Sequence, residues 1–215
     1  PYREAIYFDA YYRELSQLCH KHHVFLIFDE TVTGYRFNHP LAQYIINCKP
    51  DFTIIGKSFA NGYALSALIA EKSLMKKIED ACLEGQLFDF STTHAGESIG
   101  LAAAIKTLEI FRRDNVIEYL NRQGLNLISH LEEILKYRNL DKKIVIKGQP
   151  TYFYLASASG WMNKELRKEI VKHFYDNGIL FRGTMSLCFS HLQTHVDRIC
   201  EVFDNLCMSL ERSLA

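Results

Sequence analysis

The sequence predicts an α/β protein with a mainly parallel sheet covered by helices. Residues 24–28 (VFLIF) are apolar at every position and end at Asp29, and residues 51–55 (DFTII) form a similar segment ending at Gly56-Lys57. Strands that are apolar on both faces are typical of parallel sheets buried between helices. Helical patterns lie before and after these strands, and this alternation indicates a layered α/β architecture.

The remaining elements follow from hydrophobic spacing. Residues 64–70 (ALSALIA) could be a third strand, although their composition also suits a helix. Asn177-Gly178 indicates the end of a helix. Helical spacing predicts helices over 4–22, 97–113, 115–137 and 162–177 and from about 195, and short apolar runs occur at 144–146, 152–156, 179–181 and 187–189.

This order of elements predicts two domains. A chain of 215 residues is long enough to bury a core in each of two modest domains. The change from strand–helix alternation to a mixed pattern lies near residues 115–140. We therefore predict a larger α/β domain over residues 1–118 and a smaller α+β domain over residues 119–215.

The composition narrows the function class. Lys plus Arg and Asp plus Glu both number 25, so the net charge is zero, and no dense basic run points to nucleic-acid binding. No apolar run approaches the roughly 20 residues that a membrane helix needs. The six cysteines form no C-x-x-C pair, which favours free thiols in the cytoplasm. The first residues resemble no signal peptide and include no initiator Met, which predicts a fragment, a processed chain or a trimmed one.

An acid and a lysine are predicted at the same edge of the sheet. Asp29 and Glu30 follow the first strand and Lys57 follows the second, and ligands of open α/β sheets bind at the carboxyl ends of the strands. Three explanations remain open from spacing alone: a structural ion pair, a phosphate-binding lysine, or a Schiff-base lysine with an electrostatic partner.

Among phosphate-binding sites, a P-loop can be tested directly against the sequence. Gly56-Lys57-Ser58 copies the end of the motif G-x-x-x-x-G-K-[ST]. The motif requires a glycine five residues before Gly56, where this chain has Asp51. An aspartate there would repel phosphate, and the P-loop hypothesis is therefore rejected.

Four segments of the chain resemble motifs of the class III aminotransferases. They occur in the family's order and spacing, and the resemblance covers essentially all 215 residues. The segments are residues 28–36 (FDETVTGYR), residues 50–57 (PDFTIIGK) with 60–63 (ANGY), residues 91–97 (STTHAGE) leading to the alanines at 102–104, and residues 190–197 (SHLQTHVD). The glutamate-1-semialdehyde aminomutase-like branch is the nearest.

The resemblance implies a partial enzyme of the fold type I pyridoxal-phosphate (PLP) transferases. Residues 1–118 would be the C-terminal part of the large PLP-binding domain, and residues 119–215 the small C-terminal domain. The family's N-terminal half carries a glycine- and serine-rich helix start that binds the phosphate, and an aromatic residue that stacks on the ring. Neither is found here, so we expect the 215 residues alone to bind PLP weakly or to need that half.

The resemblance also assigns roles to individual residues. Lys57 would form the internal aldimine with PLP and then shuttle a proton, with burial favouring its neutral amine. Asp29 would pair with the pyridine nitrogen. Thr31 would pack on the ring, where the family usually has valine. Thr93 would reach the phosphate bound by a neighbouring subunit, which implies a homodimer with shared sites.

The function implied is transfer of an amino group from a small-molecule donor to a carbonyl acceptor, or within one molecule, through a Lys57 aldimine. The alternative is a non-catalytic remnant that acts as a dimerisation or interaction module. A lysine enzyme without PLP would account for Lys57 but not for Asp29 or the segment around Thr93. For Glu30, Arg36 and His94 we expect structural hydrogen bonds or salt bridges.

No metal site is predicted. His20, His22 and His23 lie where a helix should turn into the first strand. His191 and His195 are four residues apart, but a helix start between them means that the pair need not share a face.

Overall fold

The computed structural model describes residues 2–37, 40–85, 93, 95–160 and 162–214. The chain divides into two compact units, Pro1–Ile117 and Glu118–Ala215. Within the described residues, no helix is both long and apolar enough to cross a bilayer.

The first unit is a small sheet with helices. In chain order its elements are α1 (Tyr2–Lys21), β1 (Ile27–Asp29), a 3-10 helix (Ala42–Tyr44), β2 (Phe52–Ile55), a second 3-10 helix (Lys57–Phe59), β3 (Ala67–Ala70), α2 (Lys72–Leu83) and α3 (Ser98–Arg113). The strands form one sheet in the order β1-β2-β3. The predicted α/β class is confirmed.

The sheet is less parallel than the apolar pattern indicated. β1 and β2 are parallel, with Asp29 opposite Ile54, whereas β2 and β3 are antiparallel, with Ile55 opposite Ala67. The connection over residues 56–66 contains only a short 3-10 helix. A parallel connection needs a crossover of a dozen or more residues, usually with an α-helix, so β3 returns antiparallel.

The first strand is shorter and more exposed than predicted. Of residues 24–28 only the last two are in β1, and Val24, Phe25 and Ile27 are 57%, 60% and 53% exposed. Among the described strands β1 pairs with β2 alone, so its other edge has no neighbour there. Its start is fixed through Leu26, whose N–H donates to Asp51 Oδ2 over 2.8 Å and whose carbonyl accepts from the Asp51 N–H.

The second unit combines helices with an antiparallel sheet. Its elements are α4 (Val116–Tyr137, which begins just before the boundary), β4 (Ile144–Gln149), β5 (Tyr152–Ser157), α5 (Lys164–Asp176), β6 (Thr184–Met185) and α6 (Gln193–Leu214). The strand order is β4-β5-β6, and both pairings are antiparallel. The apolar runs at 179–181 and 187–189 lie outside the strands, on either side of the short β6.

The core of the second unit lies along the apolar stripes of its long helices. Leu127, Leu131 and Leu135 recur every four residues on α4 and are almost completely buried, as are Phe203 and Leu206 on α6. Residues four apart lie on one face of a helix, which explains the burial of the whole stripe. At one end of α4 the Arg138 guanidinium donates two hydrogen bonds to Asp204, over 2.8 and 2.9 Å.

Candidate functional site

The carboxyl ends of β1 and β2 bring Asp29 and Lys57 to one edge of the sheet. Asp29 is the last residue of β1 and lies opposite Ile54, and the ladder continues with the Glu30 N–H donating to the Ile54 carbonyl over 2.8 Å. Lys57 follows β2 after one glycine and begins a 3-10 helix. Because parallel strands end at the same edge, both side chains belong to a single site.

Thr31 connects the acid and the amine. Lys57 Nζ donates to Thr31 Oγ1 over 2.9 Å, and the Thr31 N–H donates to Asp29 Oδ1 over 3.0 Å. Asp29 and Lys57 are therefore bridged by Thr31 and do not form a direct ion pair. We call these three residues the Asp29–Thr31–Lys57 cluster.

The surroundings of Asp29 stabilise its ionised form. The Thr31 N–H is the largest influence that lowers the pKa of Asp29, and the Thr31 hydroxyl lowers it further. The positive charge of Lys57 also lowers this pKa, while slight burial opposes the shift. Hydrogen bonds to a carboxylate favour its charged form, so Asp29 is an anion at neutral pH.

Neither charged residue of the cluster is buried. The expected burial of Lys57 is not observed, because both Lys57 and Asp29 are exposed at the sheet edge. Lys57 has a φ of +49°, a left-handed backbone conformation that is uncommon for a lysine. Such conformations persist where the surrounding structure enforces them, and they concentrate at functional sites.

Glu30 organises the loop beside the cluster. It is only 2% exposed, and its carboxylate accepts hydrogen bonds from Thr33 Oγ1 (2.6 Å), the Ala42 N–H (2.8 Å) and the Gln43 N–H (2.9 Å). Gly34 turns tightly against it, since a Cβ there would lie 2.8 Å from the Glu30 carbonyl oxygen. The structural role expected for Glu30 is confirmed.

Two further contacts hold the loop after β1 against the segment after β2. Ser58 Oγ donates to the Gly34 carbonyl over 3.1 Å, and the rings of Tyr35 and Phe59 are stacked with centroids 6.4 Å apart. Tyr35 also meets Phe111 of α3 edge-on. Sequence reasoning did not predict these contacts of Ser58 and Tyr35, because a serine and a tyrosine in loops carry no spacing signal.

The structure places Thr93 in an exposed turn. No described hydrogen bond joins it to Asp29, Thr31 or Lys57. Its neighbours Ser91, Thr92 and His94 lie outside the described residues. The assignment of Thr93 to a phosphate therefore stays a prediction.

His191 and His195 are engaged with the backbone of the second unit. His191 Nδ1 accepts from the Cys188 N–H and His195 Nδ1 accepts from the Leu192 N–H, both over 2.9 Å. In the described ranges no group of three or more metal-binding side chains occurs.

Replacing Thr31 with valine tests the connection within the cluster. We expect the pKa of Asp29 to rise towards its ordinary value without reaching it, because the hydroxyl is lost while the residue 31 N–H remains. A lowered pKa stabilises the fold above the ordinary value of 3.8, and this stabilisation is lost as the pH falls through the folded-state value. Carboxyl NMR titration measures the shift; an unchanged or lower pKa in the variant contradicts the geometry.

Comparison with known proteins gives one consistent family. The family model described as "Aminotransferase class-III" matches residues 5–204. The 3-aminobutyryl-CoA aminotransferase of Cloacimonas acidaminovorans is 28% identical over 184 residues, which are 85% of this chain and 43% of that protein. The glutamate-1-semialdehyde 2,1-aminomutase of Francisella tularensis subsp. tularensis is 33% identical over 128 residues, 60% of this chain and 29% of that protein.

A solved structure agrees in fold. The FumI protein of Sphingopyxis sp. MTA144, determined in its PLP internal aldimine form, superposes with a TM-score of 0.80 at 21% identity, covering 94% of this chain and 47% of that one. The predicted fold type I architecture is confirmed, and the cofactor in FumI agrees with the one expected from the sequence. The chain spans less than half the length of these proteins. The family model matches most of this chain, and the chain therefore belongs to the class III aminotransferase family.

Proposed function

We propose that the chain is part of a PLP-dependent aminotransferase or aminomutase in which Lys57 and Asp29 hold the cofactor. The observation that carries the proposal is the Asp29–Thr31–Lys57 cluster, in which adjacent strand ends present an amine and an ionised carboxylate joined by one threonine. A structural ion pair would have placed the two charges in direct contact. Here each keeps hydrogen-bonding capacity for a ligand.

The residues of the cluster fit the two polar ends of a pyridine aldehyde. Lys57 Nζ is exposed and hydrogen-bonded to a neutral hydroxyl, so it is free to hold the aldehyde carbon and then to move a proton at the substrate carbon. The Asp29 carboxylate would hold a proton on the ring nitrogen. When bound, the cofactor supplies an electron sink for the substrate carbanion.

Thr31 has two parts with separate roles in this proposal. Its methyl group would pack on the cofactor ring, and its hydroxyl orients Lys57 Nζ. Thr93, exposed in its turn, would contact the cofactor phosphate of a neighbouring subunit in a homodimer with shared sites. Analytical ultracentrifugation tests the dimer.

The substrates are a small amino donor and a carbonyl acceptor. One relative is named for transfer between molecules and another for transfer within one molecule, so both reactions belong to the proposal. We place the reaction in the cytoplasm, which is supported by the six cysteines, all within the described residues and all free thiols. Exposure of Lys57 and Asp29 supports a further part of the proposal, that additional protein covers the cluster in the active enzyme.

A non-catalytic interaction module is the second candidate. It is supported by the exposed apolar side chains of Val24, Phe25 and Ile27 beside the β1 edge, where a partner could add a strand. This candidate predicts association without any reaction at Lys57.

A half-reaction distinguishes the two candidates. The chain is mixed with PLP and an amino donor, and formation of pyridoxamine phosphate is followed by chromatography. Two proteins are assayed: the 215-residue chain, and a longer protein that contains it and matches the relatives in length. The enzyme proposal predicts that conversion is faster than with free PLP alone. Conversion no faster than free PLP in both chains would exclude the enzyme proposal.

A further inference from the structure

A cavity of about 300 Å³ lies within the second unit, between β5, α5 and the segment around β6. None of its lining residues, which all lie between positions 152 and 184, has a role in the proposed function. Its volume is at the lower end of the range of about 300–1,000 Å³ that is typical of small-molecule sites.

The walls of the cavity are apolar and partly aromatic. Tyr152, Tyr154 and Ala156 alternate along β5 and line it together with Ile170 and Phe181. Alternate residues of a strand point to the same face, which explains how one strand provides three of these groups. Ile170 and Phe181 are buried, so this wall is fixed by the core of the unit.

A single charged group lines the cavity among the described residues, the guanidinium of Arg167. Its one described side-chain hydrogen bond is long, from Nη2 to the Arg182 carbonyl over 3.5 Å. Two lysines of α5 have carboxylate partners: Lys168 lies 3.7 Å from Glu165, and Lys172 pairs with Asp176. Arg167 pairs with no carboxylate in the described part of the chain.

Gly183 leaves space for the guanidinium of Arg167. Gly183 has a φ of +99°, and a Cβ at this position would lie only 2.8 Å from Arg167 Nη2. A larger residue at position 183 would push the guanidinium away from its place. Glycine therefore permits the close approach of the guanidinium to the backbone.

We propose that this cavity binds a small monocarboxylate carrying one aromatic ring or a branched alkyl group. The planar guanidinium offers two parallel N–H donors that match a carboxylate, and it is always charged. The tyrosines and the buried apolar wall would enclose the apolar part of the ligand. A doubly charged anion such as phosphate would leave the apolar walls unused, which favours the carboxylate.

Titration calorimetry of the 215-residue chain with 3-phenylpropionate tests the proposal. For a ligand of this size we expect a dissociation constant on the order of 1 mM. Arg167→Gln should weaken binding at least about tenfold, because a charge-assisted bidentate contact is lost. Lys168→Gln, the same change of charge at the next position of α5, should leave the affinity unchanged.

A neutral ligand and a cavity-filling variant serve as controls, and inorganic phosphate is titrated for comparison. The neutral analogue 3-phenylpropanol should bind at least about tenfold more weakly than the carboxylate. Thr184→Trp fills the cavity from its exposed rim without changing α5, and should abolish binding while circular dichroism shows an intact fold. Absence of binding, equal binding of the alcohol, tighter binding of inorganic phosphate, or full affinity in Arg167→Gln or in folded Thr184→Trp would each overturn the proposal.

Discussion

Lys57→Ala is expected to reduce amino transfer by about 10³-fold or more, measured as pyridoxamine phosphate formed from PLP and an amino donor. The variant lacks the amine that holds the cofactor aldehyde and moves the proton at the substrate carbon. The fold should not change, because Lys57 is exposed and its described side-chain contact is one hydrogen bond to Thr31.

Two variants serve as controls: one keeps the positive charge at position 57 without the amine, and the other removes a lysine outside the cluster. Lys57→Arg keeps the positive charge but should be as inactive as alanine, because a guanidinium stays protonated and cannot act as a base. Lys49→Ala removes an exposed lysine that pairs with Glu71 outside the cluster, and should retain activity. Activity in Lys57→Ala above one tenth of the original would show that amino transfer does not require Lys57.

Glu30→Ala should lower the free energy of unfolding of the first unit by about 3–5 kcal/mol. The substitution removes a buried carboxylate that accepts three hydrogen bonds and leaves the Ala42 and Gln43 N–H groups without their partner. Urea denaturation followed by circular dichroism measures the loss. Hydrogen exchange at those two amides should accelerate in parallel.

Glu71→Ala is the control for the change of charge. Glu71 is exposed and pairs with Lys49 on the surface, where an ion pair contributes at most about 1 kcal/mol. Equal stability of Glu30→Ala and Glu71→Ala would show that Glu30 does not anchor the loop beside the cluster.

Periodicity predicted the long helices well and the sheet less well. Leu120, Leu131 and Leu135 belong to the apolar stripe that predicted α4, and all three are buried. α2 was not predicted, although Leu74, Ile78 and Cys82 recur every four residues. An apolar run predicts a strand covered on both faces but does not show which elements cover it, and Phe25 and Ile27 are exposed in this structure.

The site was predictable in position but not in its internal contacts. Two acids and a lysine directly after apolar strands placed Asp29, Glu30 and Lys57 at one sheet edge, and the structure agrees. The bridge through Thr31 and the left-handed backbone of Lys57 are specified by no residue pattern. Spacing alone could not distinguish Asp29, which faces solvent, from the buried Glu30 beside it. The family resemblance did, because it gave Asp29 the pyridine nitrogen and left Glu30 a structural role.

The most direct test is to find which lysine forms a Schiff base with PLP. The chain is incubated with PLP at less than one equivalent and reduced with borohydride, and the labelled peptides are identified by mass spectrometry. We predict that Lys57 carries most of the label and that Asp29→Asn reduces this preference. Label spread evenly over exposed lysines such as Lys49 and Lys168, or concentrated on any lysine other than Lys57, would contradict the assignment.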